Sequence, residues 1–478
     1  MDGVLSMMVN SLLILVMVGG AVFLVVYYFR KKRRFAIRSI IEKHFRPSSL
    51  KEIAISERTF PVRVRADLQR AIERLFEADV MIADFCGVQK EHSFDSLGFA
   101  NLIADEYLCA LPVPPQYEEI DVGDEQPVRC LKNGLWLLEK SGSRHAVLLS
   151  PSVTFGQTNG IQFQIATIAG KTGNAIAEAF FRHLEDFVLK AESYRGKVLS
   201  LEVSERSYNG KSTGISVHRL HPVTREQVIL PEKTMKLLER NVIQFVQQRR
   251  QLALFRQPTR KGILFYGPPG TGKTHTIHYL AAALKEHTTL LVSAEQVGLL
   301  GEYMTLARLL QPSIVVIEDA DLIGKAREKM GSPCEEAMLN KLLNEMDGLK
   351  EEADILFILT TNHPEALETA LTARPGRIDQ AIEFPLPDAE GRKKLVQLYA
   401  HGVEMCPDVV GNIVKRTERV SAAFIKELMR RAVQFHLERT KTQAIELLDI
   451  EGALDEMLFS GGSLNMKLLG AEAKSPCP

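Results

Sequence analysis

Apolar positions along this chain fall into three successive patterns. From Val4 to Phe29 nearly every residue is apolar, broken only by Ser6, Asn10, Ser11 and the Gly19-Gly20 pair. A helix of that length crosses the roughly 30 Å of a bilayer's hydrocarbon, so residues 4–29 are expected to form a transmembrane helix. From 35 to 115 the period becomes helical, with Leu68, Ile72, Leu75 and Phe76 on one face and Phe99, Leu102, Ile103 and Tyr107 on another. A mainly helical membrane-proximal region is predicted there, stopped by Pro112, Pro114 and Pro115. Residues 116–225 carry short apolar runs at Gly134–Leu138, Ala146–Leu149, Ile161–Ile168 and Val198–Val203, with a helical stretch from Ala175 to Ala191, which predicts an α+β domain. A further helix begins at Pro231, whose fixed φ suits a first helical position, and runs through Met235, Leu238, Val242, Phe245 and Leu252.

Composition narrows the class. The chain has 478 residues, 45% hydrophobic, with 59 Lys+Arg against 59 Asp+Glu. That is the make-up of folded domains, and zero net charge gives no global attraction to nucleic acid, so none is expected as a partner. Cys86, Cys109, Cys130, Cys334, Cys406 and Cys477 form no CxxC pair, which argues against a zinc site or disulfide framework and for a reducing compartment. Residues 116–225 hold no His/Cys cluster at ligand spacing and no nucleophile-base arrangement, so recognition or assembly is their expected work. Arg30, Lys31, Lys32, Arg33 and Arg34 follow the apolar segment directly, whereas Asp2 alone is charged before it. The positive-inside rule therefore puts the bulk of the chain in the cytoplasm, with the basic run against lipid headgroups. The absence of a basic n-region and a small-x-small cleavage site favours an anchor over a removed signal.

The chemistry is concentrated after residue 260. Ile263–Tyr266 reads as a short strand, followed by Gly267-Pro268-Pro269-Gly270-Thr271-Gly272-Lys273-Thr274, the GxxxxGK[ST] pattern, and then a helix-forming run. Glycines let backbone N–H groups curl around phosphates, the helix N-terminus adds partial positive charge, Lys273 reaches the β- and γ-phosphates, and Thr274 ligates magnesium. The next apolar strand, Ile314–Ile317, closes on Glu318, Asp319 and Asp321, setting carboxylates at the carboxyl edge of a parallel sheet where Mg-ATP sits. A third, Ile355–Leu359, ends in Thr360-Thr361-Asn362, whose amide is placed to orient an attacking water.

With GPPGTGKT, LLNEMDGL (Leu342–Leu349), TTN, ARPGRID (Ala373–Asp379) and PLPD (Pro385–Asp388) in order, the sequence resembles the AAA family of ATPases, in the branch that includes FtsH and the Cdc48-like unfoldases. The resemblance covers about Pro231 to Phe459. It implies an α/β fold: a P-loop AAA module with a parallel sheet, flanking helices and a small helical lid, the large subdomain at 231–387, the lid at 388–460 and a flexible tail at 461–478. It implies that Lys273 and Thr274 bind Mg-ATP, that Asn362 is sensor 1, and that Arg374 and Arg377 reach the γ-phosphate of a neighbouring subunit. Arginine suits that role, because its planar donors stabilise charge on the transferring phosphoryl group. Asp347-Gly348-Leu349 is similar to the family's inter-subunit signalling segment. Lid helices are expected around Arg392–His401, Ser421–Leu437 and Leu448–Phe459, with Ala422 beside the nucleotide where similar proteins have glycine.

Three departures stand out. Glu318-Asp319 reverses the usual Asp-Glu order, a swap shared with the membrane-anchored mitochondrial AAA chaperone that assembles the Rieske protein. Glu318 would then face magnesium while Asp319 acts on water. The segment Val297–Gly301, which the resemblance sets at a central pore, has no aromatic; Leu299 and Leu300 either grip an extended chain through apolar contact or are buried, with Tyr303 on the following helix. No HExxH motif follows the lid, so the resemblance does not extend to the FtsH protease. The reading is a membrane-anchored ATPase, an oligomeric ring and by resemblance a hexamer, that hydrolyses ATP to remodel, unfold or extract protein substrates. The alternatives are an assembly chaperone or translocase that moves folded protein across the membrane, and a nucleotide-gated scaffold with little hydrolysis. Lacking an Arg- and Ser-rich transit segment, the chain is assigned first to a bacterial inner membrane and second to the mitochondrial inner membrane facing the matrix.

Overall fold

The computed structural model describes residues 36–77, 80–90, 96–103, 110–140, 142–154, 157–202, 214–321, 344–346, 348, 353–365, 367, 377–439 and 444–460. The expected transmembrane segment 4–29, the basic run after it, Asp347, Leu349, Arg374 and the tail 461–478 lie outside these residues. Among the described residues no helix is long and apolar enough to cross a membrane. The chain divides into two compact units, one of Met1–Ser193 and Glu202–Ile215, the other of Tyr194–Leu201 and Ser216–Pro478.

The first unit is built on an antiparallel sheet. Its strands are β1 (Ile53–Phe60), β2 (Met81–Lys90), β3 (Ala110–Val113), β4 (Gln116–Ile120), β5 (Val128–Lys140), β6 (Ser143–Thr154) and β7 (Gln157–Ile168). They run in the order β1-β7-β6-β5-β2-β3, with β4 also paired to β5. In β5, Leu135, Trp136, Leu137 and Leu138 are all buried, because both faces of the sheet are covered and alternation gives way to a continuous apolar run. On one face Ile37, Ile41 and Phe45 of helix α1 (Ala36–Phe45), with Phe99 and Leu102 of α3 (Phe99–Ile103), pack on Leu135, Leu137, Leu148 and Ala166. Helices α2 (Arg65–Glu77) and α4 (Lys171–Lys190) pack against each other, and the Phe180 ring of α4 lies 6.3 Å from Phe163 of β7.

In the span 35–115, expected to be mainly helical, the described residues contain strands β1, β2 and β3 beside helices α1, α2 and α3. The reason is exposure. β1 is an edge strand in which Ile55, Glu57, Arg58 and Thr59 face solvent, and Met81–Asp84 of β2 are exposed as well, so neither carries the apolar alternation that marks a half-buried strand. The run Val198–Val203, expected within the 116–225 domain, forms strand β8 (Val198–Leu201), which pairs in parallel with the second unit's sheet.

That second sheet contains β9 (Ile215–Val217), β10 (Lys261–Tyr266), β11 (Thr288–Val292), β12 (Ser313–Ile317), β13 (Ile355–Thr361) and β14 (Gln380–Glu383) beside β8. The order is β14-β10-β13-β12-β11-β8-β9. β8 and β10 to β14 pair in parallel, so their carboxyl ends share one edge. β13 and β12 are buried at every position, as a sheet covered on both faces requires. The expected helix after Pro231 forms as α5 (Glu232–Leu238) and α6 (Phe245–Leu254), joined through a π-helical turn at Glu239–Gln244, and Met235, Leu238 and Val242 pack on Ile263, Phe265 and Ile382. Helices α7 (Lys273–Ala283) and α8 (Leu300–Leu309) follow β10 and β11.

Beyond β14 come α9 (Ala389–Tyr399), α10 (Pro407–Arg416), α11 (Ala422–Arg439) and α12 (Leu447–Asp455), packed around Phe424, Leu428, Ile413, Ile450 and Leu454. Asp449 is buried at their junction and fully engaged, accepting from Arg439 Nε at 3.0 Å and Glu446 N at 2.9 Å, with His436 Nδ1 at 2.9 Å. Desolvation of that carboxylate is offset by these bonds.

Candidate nucleotide site

The loop between β10 and α7 is shaped by two glycines. Gly267 has φ +145°, and a Cβ there would stand far inside van der Waals contact with the Phe384 carbonyl, whose own N–H donates to Tyr266 O at 2.7 Å. Gly272, with φ +100°, turns the chain into α7. Thr271 Oγ1 donates to Pro268 O at 2.8 Å and closes the loop on itself. Lys273 is only 7% exposed, and its three ammonium protons have three acceptors: Gly267 O at 2.7 Å, Pro268 O at 3.0 Å and Asn362 Oδ1 at 2.8 Å. Burial pulls the ammonium down to about 8, against the opposing pull of Asp319 and Asp321.

The strand order explains the contacts. β13 lies between β10 and β12, so a residue leaving β13 meets both the phosphate loop and the acids that end β12. That residue is Asn362. While its Oδ1 accepts from Lys273, its Nδ2 donates to Asp319 Oδ1 at 3.2 Å. Asp319 adopts φ +47°, and its N–H is held by Thr360 Oγ1 at 3.0 Å. Glu318 turns the other way, and its Oε1 accepts from Thr274 Oγ1 at 2.9 Å. Two hard oxygens that close, one a carboxylate, suit magnesium, which takes one or two carboxylates and completes its shell with phosphate and water. Asp321 is buried and structural, accepting from Thr361 Oγ1 at 2.7 Å and Asn362 N at 3.3 Å, which pins the end of β13.

A cavity of about 360 Å³ opens along Pro269–Thr276 and reaches Asp319, Thr360 and Asn362. The helical lid closes one side through Ala422 and Ala423, and Ala423 N donates to Gly270 O at 3.1 Å. Gly270 has φ +75°, and a Cβ there would be 2.9 Å from Ala423 Cβ and Ser421 Oγ, so lid and loop touch without room for a side chain. Sequence reasoning missed part of the wall: Gln227–Leu230, His275, Leu395, Tyr399 and Lys426. Only His275, next to Thr274, carried a local signal; the others arrive by tertiary packing.

Arg377 is not brought to this cavity. It borders a separate cleft with Arg260, Met346 and Asp379, where its carbonyl abuts Gly262 near the amino end of β10. The phosphate loop leaves the other end of that strand, roughly 15 Å away at the rise of a β-strand. Nor do both leucines of the expected pore segment face outward. Leu300 and Tyr303 are fully buried, Tyr303 donating to Leu291 O at 2.9 Å; Leu299 is half-buried and Gly298 exposed. Leu300 therefore packs in the core and has no surface with which to grip a chain.

Residues 263–386 match the family described as "ATPase family associated with various cellular activities (AAA)". The chain is 34% identical over 229 residues to the ATP-dependent zinc metalloprotease FtsH 3 of Symbiobacterium thermophilum, covering 45% of this chain and 36% of that protein. It is 28% identical over 331 residues to the cell division cycle protein 48 homolog of Archaeoglobus fulgidus, covering 64% and 43%. To the proteasome-activating nucleotidase of Methanosphaerula palustris it is 32% identical over 208 residues, covering 41% and 50%. The chain thus spans about a third to a half of the relatives it matches.

Proposed function

Starting from the AAA ATPase domain that this chain carries, we propose that the protein is a membrane-anchored ATPase that binds and hydrolyses ATP as an oligomeric ring to remodel, unfold or extract protein substrates. The observation that carries this reading is the hydrogen-bonded chain Lys273–Asn362–Asp319 beside the Thr274–Glu318 pair, at the carboxyl edge of a parallel sheet. The loop amides and Lys273 bind the phosphates. Asp319 accepts the proton of an attacking water that Asn362 orients against the γ-phosphate. Thr274 and Glu318 would hold magnesium, which supplies charge neutralisation on the phosphate oxygens. Because Arg377 lies at the far edge of its own sheet, it acts, together with Arg374, on the nucleotide of the next subunit in a ring. Relatives named for proteolysis and proteasome activation support protein as the substrate class. Residues 4–29 anchor the chain and leave the ATPase domain in the cytoplasm, at a bacterial inner membrane or, second, on the matrix side of the mitochondrial one.

The test is ATP turnover per subunit across protein concentration, for the wild type and for Lys273→Ala, Asp319→Asn and Arg377→Ala. Turnover that rises with assembly and collapses in all three variants supports the reading. Binding of ATP with background turnover at every concentration leaves the nucleotide-gated scaffold as the account.

The buried Leu300 favours a second reading, a translocase or assembly chaperone for folded protein. A segment offering only Leu299 and glycines holds an extended chain poorly, whereas a folded cargo needs no such grip.

A further inference from the structure

The first turn of α7 spends Lys273 and Thr274 on the phosphate side of the cavity. His275, one residue on, leaves the helix toward a different wall. Its Nε2 lies 3.2 Å from the carbonyl oxygen of Gln227, and since a carbonyl can only accept, Nε2 carries the proton and donates. Gln227 closes a tight turn that is already braced from within. Its side-chain Oε1 accepts from Thr224 N at 2.9 Å, its own N–H donates to Thr224 O at 3.2 Å, and Val228 N donates to Arg225 O at 3.2 Å. His275 supplies a side-chain hydrogen bond between this turn and the phosphate-loop helix.

The turn runs on into Val228-Ile229-Leu230, which forms one wall of the cavity, with Val228 and Leu230 packed in the core that includes Ile263 and Ile277. That wall suits the face of a flat heterocycle, and any polar reading of a base edge by these residues must come from their backbone N–H and C=O groups. The tether therefore fixes two things relative to each other: the phosphate grip at Gly270–Thr274 and the backbone wall at 228–230.

We infer that His275 is a positioning residue for the base of the nucleotide, setting the register between the 228–230 wall and the phosphate loop and so the preference for one purine over another. The inference rests on the proposed ATP site and deepens it. A ligand made of phosphates alone does not span both walls and does not sense the tether.

The experiment measures binding of ATP, GTP and inorganic tripolyphosphate to the full 478-residue chain and to two variants, His275→Leu and His275→Gln. Leucine keeps the bulk and removes the donor; glutamine restores an N–H at similar reach. The expected result for His275→Leu is ATP affinity weaker by about tenfold, the upper range for one hydrogen bond, and an ATP:GTP ratio reduced by a similar factor. Tripolyphosphate affinity stays within about twofold, and His275→Gln recovers most of the ATP affinity and the ratio. An unchanged ATP:GTP ratio in His275→Leu overturns the inference, as does equal loss of tripolyphosphate and ATP, or failure of glutamine to rescue. Wild-type protein that binds neither ATP nor tripolyphosphate would overturn the ATP-site reading itself.

Discussion

Asn362 donates from Nδ2 to Asp319 Oδ1 at 3.2 Å while its other amide atom accepts from Lys273. One carboxamide thus sets the spacing between the group that grips phosphate and the group that handles water. Replacing it with alanine removes the link without touching the phosphate loop, whose other bonds to Lys273 are backbone carbonyls. Asn362→Ala is expected to lower kcat about 10²-fold, the scale for losing one oriented polar group at a reacting centre, with ATP affinity within about threefold of wild type. Steady-state turnover alongside nucleotide binding checks it; a parallel loss of affinity would refute the separation.

The reversed acids divide their work by direction. Glu318 bonds to Thr274, whereas Asp319 turns to Asn362. Glu318→Gln is therefore expected to weaken ATP binding in magnesium and to leave binding in EDTA unchanged. Asp319→Asn should bind ATP normally in both and turn over at least about 10²-fold more slowly, on the scale of a lost general base. Comparing affinities with and without magnesium distinguishes the pair; identical behaviour of the two variants would mean that the roles are not split.

Burial holds the Lys273 ammonium at about 8, below the ordinary lysine value. Bound phosphate favours the charged form, so nucleotide binding raises this pKa again and takes up a proton at about pH 8 to 9. Calorimetry in two buffers of different ionisation enthalpy should show that uptake, and it should vanish in Lys273→Arg, whose side chain stays charged. The sign for folding is also fixed. Between about 8 and the lysine range near 10.4, the unfolded chain keeps a proton that the folded one has released, so this group's contribution makes stability rise with pH across that window.

How much of this was legible in the sequence depends on locality. The phosphate loop, the acids after β12 and Asn362 each sit in a short strand-loop signature, and parallel pairing carries all three to one edge. The wall at Gln227–Leu230 and the lid residues Tyr399 and Lys426 come from before α5 and beyond β14, with nothing in their own segments to mark them. In the first unit the long central strands were visible through continuous apolar runs. Edge strand β1 was not, since its exposed Glu57, Arg58 and Thr59 erase the pattern. A pattern also identifies a strand without naming its partner, so the run at Val198–Leu201 says nothing of its pairing with β11.

Gly267 bears on stability as well as on binding. Its φ of +145° lies where a side chain is strained, and the Phe384 carbonyl occupies the space a Cβ would need. Gly267→Ala should destabilise the second unit by about 3 kcal/mol or more, since strain and overlap add. A urea midpoint followed without nucleotide reads this directly; an unchanged midpoint would show that the loop adapts.

The two leucines after Gly298 separate threading from packing. Leu300 is fully buried, so Leu300→Ala opens a core cavity and is expected to cost about 2–5 kcal/mol whatever the protein does to its substrates. A double variant would confuse that loss of stability with loss of function. Leu299 is half-buried and offers the clean test: Leu299→Ala should shift stability by less than about 1 kcal/mol. If an extended chain is pulled past this segment, ATP turnover should persist while unfolding of a tagged substrate falls, because apolar grip is lost but the nucleotide site is not. If both continue at wild-type rates, nothing in the segment holds the substrate, and movement of folded protein becomes the better account.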